Sequence, residues 1–471
     1  MDVAFQALEY GEDQGFHPVE MRYLGSEEEG WEITRNGQPH LHLGPGYVLV
    51  RTLACGICST DLARHHLPFP LPQITGHEVL VEDEEGRHCA VEINASHQSR
   101  GVASDCRFCE EVEQGLDRHC PERLVLGIHD LPGGFAPWIL APRHSVLPLP
   151  DSLPEDTALL LEPFAAAMRI EDLCVSPRYD RIAVLGTGRL GQLVVAAYTV
   201  LRRQTGLDVQ VTALTRHRGL ADLARELGAD ESTLFEGEGE DLPSAAWDLV
   251  IDTTGSPAGL DLALRLAAKE VHVKSTHGRP VAGLQHMTEL VVDELNLQPM
   301  PTRPAEWNRH IPRQSFGTRP KLKWSARQDP PPGLANRVDL AVHRGQGLPL
   351  EHLQTFDFAV ADTLSMVDRL IRPHADREAS WLRPMGTILL DLLPDETGPL
   401  AEAIRDRGLR VSASRCGDQD IALNQLADDP LAQSLGRLLI RDHLPAAQLQ
   451  KAFERALAPE SLKVAIHHPA P

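Results

Sequence analysis

The chain has 471 residues, too many for a single compact core, so at least two domains are expected. Apolar residues make up 42% and charged residues 24%, an ordinary balance for a globular protein, and no apolar run approaches the ~20 residues of a membrane span. A formal net charge of -22 repels nucleic acid and anionic membranes, so neither is expected as a partner.

Met1 to Tyr10 offer neither a basic nor an apolar leader region, and a cytoplasmic location is expected. Lys supplies only 6 of the 45 basic residues, a bias that a high-GC genome or a saline habitat would each produce. The 8 cysteines are Cys55, Cys58, Cys89, Cys106, Cys109, Cys120, Cys174 and Cys416. In a long chain without an export signal, disulfides are the weaker reading. Three of them fall between Cys106 and Cys120, which is metal-like clustering.

In chain order, the first ~150 residues read as short strands broken by Pro and Gly, an irregular barrel-like β domain. Tyr47-Val48-Leu49-Val50, after Gly44-Pro45-Gly46, is one such strand. From Asp180 strands alternate with helices. Strands are expected at Arg181 to Leu185, Val209 to Leu214, Leu249 to Asp252 and Val271 to Lys274. Helices are expected at Leu190 to Arg203, Leu220 to Leu227 and near Leu260 to Ala268. This is the texture of βαβ units and a parallel sheet.

A Pro/Arg-rich tract follows (Pro299, Pro301, Pro304, Pro312, Pro320, Pro330-Pro331-Pro332) and reads as loop. The βαβ texture then returns. Strands are expected at Phe356 to Ala361, Gly386 to Leu390 and Leu409 to Ser412, with helices at Leu364 to Ile371 and Pro399 to Arg407. The stretch Phe356 to Leu390 faintly echoes Trp247 to Lys274, either an internal duplication or the common look of βαβ units.

Gly186-Thr187-Gly188-Arg189-Leu190-Gly191 follows one strand and opens a helix, the context that makes a glycine loop a dinucleotide site. Gly186 allows the tight turn, Gly188 lets backbone N–H groups approach a pyrophosphate, and Gly191 lets helix and strand pack closely. Arg189 and Leu190 belong to the same loop, and Thr254 and Ser275, after the next strands, complete the candidate cofactor residues. The second strand ends Leu214-Thr215-Arg216, where an NAD site usually places an acid for the ribose 2′-OH. Neutral Thr215 and cationic Arg216 suit a 2′-phosphate, so NADP is expected over NAD.

Three further segments come in order before the glycine loop: Cys55-Gly56-Ile57-Cys58-Ser59-Thr60-Asp61, Gly76-His77-Glu78 and Leu161-Glu162-Pro163. With that loop they resemble the zinc-dependent medium-chain dehydrogenase/reductase superfamily, in the branch of sorbitol and threonine dehydrogenases. The resemblance implies an α/β protein with a GroES-like β-rich catalytic domain and a Rossmann doubly wound parallel-sheet domain. It implies that Cys58, His77 and Glu162 hold a catalytic zinc, with Glu78 close behind the metal. Zinc accepts S, N and O ligands and lowers the pKa of a coordinated alcohol. Thr60 matches the hydroxyl that begins proton relay, and Asp61 an acid that orients the ligands. The His that extends the relay in relatives is replaced by Ala63. Cys55 is read as a non-ligand.

Relatives carry a structural zinc on a C-x2-C-x2-C-x7-C lobe. Cys106, Cys109 and Cys120 match the last three positions, Ala103 stands at the first, and the last gap is three residues longer. Asp105, His119 or His97 could complete four ligands, and whether a structural zinc binds stays open. Glu92-Ile93-Asn94, His119 to Ile128 and Val273-Lys274-Ser275-Thr276 resemble an uncharacterised alcohol-dehydrogenase-like bacterial subgroup. In it, a segment like Val291-Val292-Asp293-Glu294-Leu295 runs directly into one like Ser414-Arg415-Cys416-Gly417, so about 110 residues are inserted here.

The domains expected are 1–170, completed by 416–471, for catalysis; 171–298, completed by 409–415, for the dinucleotide; and an inserted α/β segment, 299–408. Structure or assembly is its expected role. The function expected is hydride transfer between an alcohol or carbonyl substrate and NAD(P), in a homo-oligomer (dimer or tetramer). The rivals are an NAD(P)-binding protein that has lost turnover and serves regulation or assembly, and a zinc-free reductase of the same fold.

Overall fold

The structure, a computed structural model, describes all residues except 111–114, 175–178, 276–277, 302–306, 308–318, 344–349, 375–378, 459–460 and 470–471. The chain divides into two compact units, Met1–Arg169 with Cys416–Pro471, and Ile170–Arg415.

The first unit opens with an antiparallel sheet of β1 (Asp2–Tyr10), β2 (Phe16–Ser26), β3 (Gly30–Arg35) and β4 (Gln38–Leu43). In β2 burial alternates, so Val19, Met21 and Tyr23 face inward while Glu20 and Arg22 face water, the signature of a sheet with one covered face. β5 (Tyr47–Gly56) starts the main sheet and pairs with β6 (Glu78–Glu82), which pairs with β7 (His88–Val91). β8 (Asn94–Ala95) and β9 (Leu124–Val125) form a small ladder, while β10 (Trp138–Pro142) pairs with β5 and β11 (Val146–Pro148) with β7.

The second unit is built on one sheet. Its strands are β12 (Arg181–Leu185), β13 (Gln210–Thr215), β14 (Glu231–Leu234), β15 (Trp247–Asp252), β16 (Ala267–Val273), β17 (Asn296–Pro299), β18 (Lys321–Trp324), β19 (Asp339–Val342), β20 (Phe356–Ala361), β21 (Leu382–Leu390) and β22 (Arg410–Ala413). Among the described residues their spatial order is β14-β13-β12-β15-β16-β22-β17-β21-β20-β18-β19. β12 reads Ile182-Ala183-Val184-Leu185, buried throughout, as a parallel strand covered on both faces must be. The helix Arg189–Thr205 follows it and stops at Gly206, whose φ of 69° is the left-handed cap that glycine tolerates.

The helices Leu364–Ile371 and Pro399–Arg407 and the strand Phe356–Ala361 have the expected bounds. Other expectations need correction. The strand placed at Gly386 begins at Leu382, and that placed at Val271 begins at Ala267. The Pro/Arg-rich tract is not loop throughout, since Lys321–Trp324 forms β18 with Leu322 and Trp324 buried in a local apolar cluster. Tertiary burial overrides the flanking prolines there. Residues 302–306 and 308–318 of that tract lie outside the described residues.

The tail returns to the first unit, where β23 (Ile440–Pro445) pairs with β24 (Lys463–His467), and β24 pairs with β5. The end of the chain thereby lies beside the strand that leads into Cys58.

Candidate metal and dinucleotide sites

In the first unit, β5 ends at Gly56 and the chain turns through Cys58 into the short helix Ser59–Leu62. Asp61, 1% exposed, fixes that turn. Its Oδ2 accepts the Cys58 N–H at 2.9 Å, its Oδ1 accepts the Gly76 N–H at 3.2 Å, and Oδ1 lies 3.6 Å from His77 Nδ1. One carboxylate thus ties together the two segments that carry the Cys and His. The Thr60 hydroxyl lies 3.7 Å from Cys58 Sγ.

One ligand atom each of Cys58, His77 and Glu78 lie within 4.8 Å of one another. His77 is buried with Nδ1 turned to the Asp61 carboxylate at 3.6 Å, which leaves Nε2 as the metal-binding nitrogen. These three side chains fit a divalent metal with S, N and O donors. Glu162 sits in the first turn of the helix Leu161–Met168, outside that trio. Burial pushes its carboxyl up to about 7, opposed by the nearby charge of His77 and assisted by that of Glu78. Cys55 is also outside the trio. It is fully buried, and burial holds its thiol well above its ordinary range, so it stays protonated.

Sequence reasoning missed Lys463. Its ammonium donates to both Glu78 oxygens, at 2.5 Å each, and both residues are buried. The signal was available: one of only 6 lysines stands between Leu462 and Val464 in an apolar strand, where a charge needs a partner. Glu78 thus belongs both to this ion pair and to the metal trio.

A second cluster holds Cys106, Cys109, Cys120 and His97, with one ligand atom of each within 4.8 Å of the others. His97 comes from the helix His97–Arg100, which Ser96 caps. Its Nδ1 is 3.3 Å from Cys120 Sγ and 3.6 Å from Cys109 Sγ, and Cys106 and Cys120 sulfurs are 3.9 Å apart. A tetrahedral zinc with Zn–S of about 2.3 Å puts sulfurs roughly 3.8 Å apart, so the four fit. His97 Nε2 faces Glu122 at 3.3 Å, the outer carboxylate that fixes a metal-binding imidazole. Of the three fourth-ligand candidates, His97 is the one brought into the cluster; Asp105 and His119 are not part of it.

In the second unit the glycine loop behaves as its spacing implies. Gly186 has φ of 85°, and a Cβ there would sit 2.7 Å from Thr254 Cγ2. At Gly191 a Cβ would meet the Gly186 carbonyl oxygen at 2.5 Å, so strand and helix pack backbone to backbone. A Cβ on Gly188, the N-cap of the helix Arg189–Thr205, would meet nothing within 4 Å. That open space at a helix N-terminus fits a pyrophosphate. Arg189 and Leu190 form the helix's first turn. Thr215 is buried at the carboxyl end of β13 and Arg216 is exposed beside it. Thr254 donates to Asp252 at 2.7 Å, and Ser275 Oγ accepts the Gly255 N–H at 2.8 Å. A small recess lined by Asp252, Gly255, Ser256 and Ser275 lies at these strand ends, where open α/β sheets bind ligands. Burial pushes the Asp252 carboxyl up to about 6.

A buried polar ladder runs along β16 and β22, also missed from sequence. Tyr179 donates to Glu270 at 2.5 Å, and Ser412 donates to Glu270 at 2.6 Å. Ser412 and Ser414 each lie 2.8 Å from a nitrogen of His272, and Lys274 donates to Ser414 at 2.9 Å. The period-two set Glu270, His272, Lys274 facing Ser412 and Ser414 was its signal. Such a network specifies the register of β22 on β16 and places Lys274 next to Ser275.

Residues 44–151 match the family model "Alcohol dehydrogenase GroES-like domain". The chain is 27% identical over 286 residues to the L-threonine 3-dehydrogenase of Chelativorans sp. (strain BNC1), covering 54% of this chain and 81% of that protein. It is 26% identical over 239 residues to the L-threonine 3-dehydrogenase of Rhizobium etli (strain CIAT 652), covering 49% of this chain and 64% of that protein. Among solved structures, a protein described as a zinc-binding dehydrogenase from Sinorhizobium meliloti 1021, bound to NADP, aligns with TM-score 0.54, 18% identity and 99% of each chain. A protein described as a short chain alcohol dehydrogenase from E. coli CFT073, complexed with NADH, aligns with TM-score 0.56 and 13% identity over 98% of this chain and 99% of its own. An alcohol dehydrogenase from Thermotoga maritima aligns with TM-score 0.55 and 15% identity over the full length of both. At these identities the structural likenesses speak to fold. Residues 44–151 are thus similar to an alcohol dehydrogenase GroES-like domain, and the chain has the fold of these dehydrogenase structures.

Proposed function

We propose that the chain is a zinc-dependent oxidoreductase that transfers a hydride between an alcohol or carbonyl substrate and a nicotinamide dinucleotide. The observation that carries this is the convergence of Cys58, His77 and Glu78 in the GroES-like unit, on segments tied by Asp61. Cys58 and His77 hold the zinc, with Glu162 or Glu78 as carboxylate ligand. Bound zinc supplies Lewis acidity to the substrate oxygen, and the dinucleotide supplies the hydride acceptor or donor. Asp61 orients His77 and the Cys58 turn. The Thr60 hydroxyl, next to Cys58 Sγ, takes the substrate proton first. Lys463 positions the Glu78 carboxyl behind the metal site by donating to both its oxygens. With Ala63 where relatives extend the relay, the proton passes from Thr60 to water.

The names of the relatives put 3-hydroxy amino acids first among substrates to assay, followed by secondary alcohols and polyols. NADP-linked oxidation that is abolished by a chelator and restored by zinc supports the proposal; turnover that persists in zinc-free protein would reject it. The rival readings lack a favouring observation, because the metal trio and the glycine loop are both intact.

NADP is the proposed cofactor, on the strength of Arg216 beside neutral Thr215. Replacing Arg216 with Ala removes a charge-assisted contact to the 2′-phosphate, and the Kd for NADP rises about tenfold, the equivalent of ~1.4 kcal/mol. The Kd for NAD stays unchanged. Equal effects on both, measured by titration, would refute the preference.

The Cys106, Cys109, Cys120 and His97 cluster holds a structural zinc in this account. His97→Ala leaves three ligands, so one zinc is lost per chain and the lobe loses stability. Metal analysis of the variant checks this, and an unchanged zinc content would contradict it.

A further inference from the structure

The sheet of the second unit consists of two halves with matching plans. From the middle outward, one half runs β22-β16-β15-β12-β13-β14 and the other β17-β21-β20-β18-β19. Within each half all neighbours are parallel. The halves meet at β17 and β22, which pair antiparallel at Leu297 and Val411. Two parallel sets joined by an antiparallel edge are related by a pseudo-twofold axis through that edge. β12, β13, β15 and β16 correspond to β18, β19, β20 and β21.

Side chains repeat with the strands. Asp248, second residue of β15, accepts the N–H of Arg181 at the start of β12 at 3.0 Å and pairs with Lys269 of β16 at 3.0 Å. Asp357, second residue of β20, accepts the N–H of Lys321 at the start of β18 at 2.8 Å and pairs with Arg383 of β21 at 2.8 Å. Gln210 N–H donates to the Asp180 carbonyl just before β12, and Asp339 N–H donates to the Pro320 carbonyl just before β18. Lys274 N–H returns to the Asp252 carbonyl as Asp391 N–H returns to that of Ala361. Ser256 caps the helix after β15, and Thr363 caps the helix after β20.

Three features break the symmetry, the first being that β14 has no counterpart in the second half. The edge strands are exchanged: β17 follows β16 in the chain but lies beside β21, and β22 follows β21 but lies beside β16. The second half also lacks a dinucleotide loop. After β18 comes Ser325-Ala326-Arg327-Gln328-Asp329-Pro330, and only the short turn Leu334–Asn336 precedes β19. Bulky Trp324, 1% exposed, ends the strand, with no helix N-terminus behind it.

We infer that residues 296–413 supply an internal, degenerate counterpart of the dinucleotide-binding half, which occupies the sheet edge that a second copy of the chain would otherwise use. An unpaired edge strand is a template for twofold pairing with a like strand. Here β22 is paired on both sides from within the same chain, and one apolar cluster runs across the junction, from Leu264 and Val271 through Leu297 to Ile388, Leu400 and Val411. The chain is therefore a monomer with a single dinucleotide site, in place of the dimer or tetramer expected from the resemblance.

Light scattering coupled to size exclusion, at micromolar to tens of micromolar chain, tests this on the full chain. The expected mass is that of one chain, 51.8 kDa, at every concentration. Titration calorimetry with NADP then gives one site per chain. A two-chain particle, or a second dinucleotide per chain, would overturn the inference. A monomer that binds no dinucleotide would instead count against the reading of the glycine loop, since the mass alone decides the assembly.

Discussion

Cys58→Ser and His77→Asn each lower turnover by at least about a thousandfold, the scale of losing a Lewis acid worth several kcal/mol. The affinity for NADP stays within twofold, because the glycine loop belongs to a unit of its own, Ile170–Arg415. The size follows from how the site is built. Cys58 and His77 are held by a shared carboxylate, Asp61, and the other cysteine of the segment, Cys55, is buried and kept protonated. Steady-state rates and fluorescence titration with NADP on the same preparations check both halves. Turnover within tenfold of wild type in either variant would mean that this metal trio is not the catalytic centre.

The second large effect is on stability. Lys463→Met leaves the buried Glu78 carboxyl without its Lys463 partner, and removing one partner of such a pair costs about 3 to 5 kcal/mol. For a unit of this size that lowers the melting temperature by about 10 °C. Adding Glu78→Gln removes the stranded carboxyl and recovers most of the loss, as expected when desolvation rather than Coulomb attraction dominates. Thermal melts of the single and double variants separate the two terms. A single variant that melts within about 2 °C of wild type, or a double variant no better than the single, would show that Lys463 is not the counter-charge of Glu78.

What the sequence made legible follows local physics. The glycine loop could be read because each glycine answers a steric demand within a few residues: the Gly186 turn, the Gly191 contact with the Gly186 carbonyl, and the open space at Gly188. Cys58, His77 and Asp61 could be read because their segments come in a fixed order. Lys463 could be read as a charge in need of a partner, but the partner itself could not, because Glu78 lies 385 positions away and only the folding of β24 against β5 brings them together. His97 was one of three candidates, and the geometry of its helix relative to Cys120 separates it from Asp105 and His119. The echo between Phe356 to Leu390 and Trp247 to Lys274 was visible, but the exchange of β17 and β22 was not. Strand order in a sheet is a property of the whole unit, and either order satisfies the same alternation of strand and helix.

Whether zinc at Cys58 and His77 carries the chemistry is decided by the metal content of the purified full chain, read by elemental analysis. About two zinc ions per chain are expected, falling to one in Cys58→Ser with turnover lost, and to one in His97→Ala with the catalytic ion retained. A folded wild-type protein that contains no zinc and still turns over an alcohol with NADP would contradict zinc chemistry at these residues.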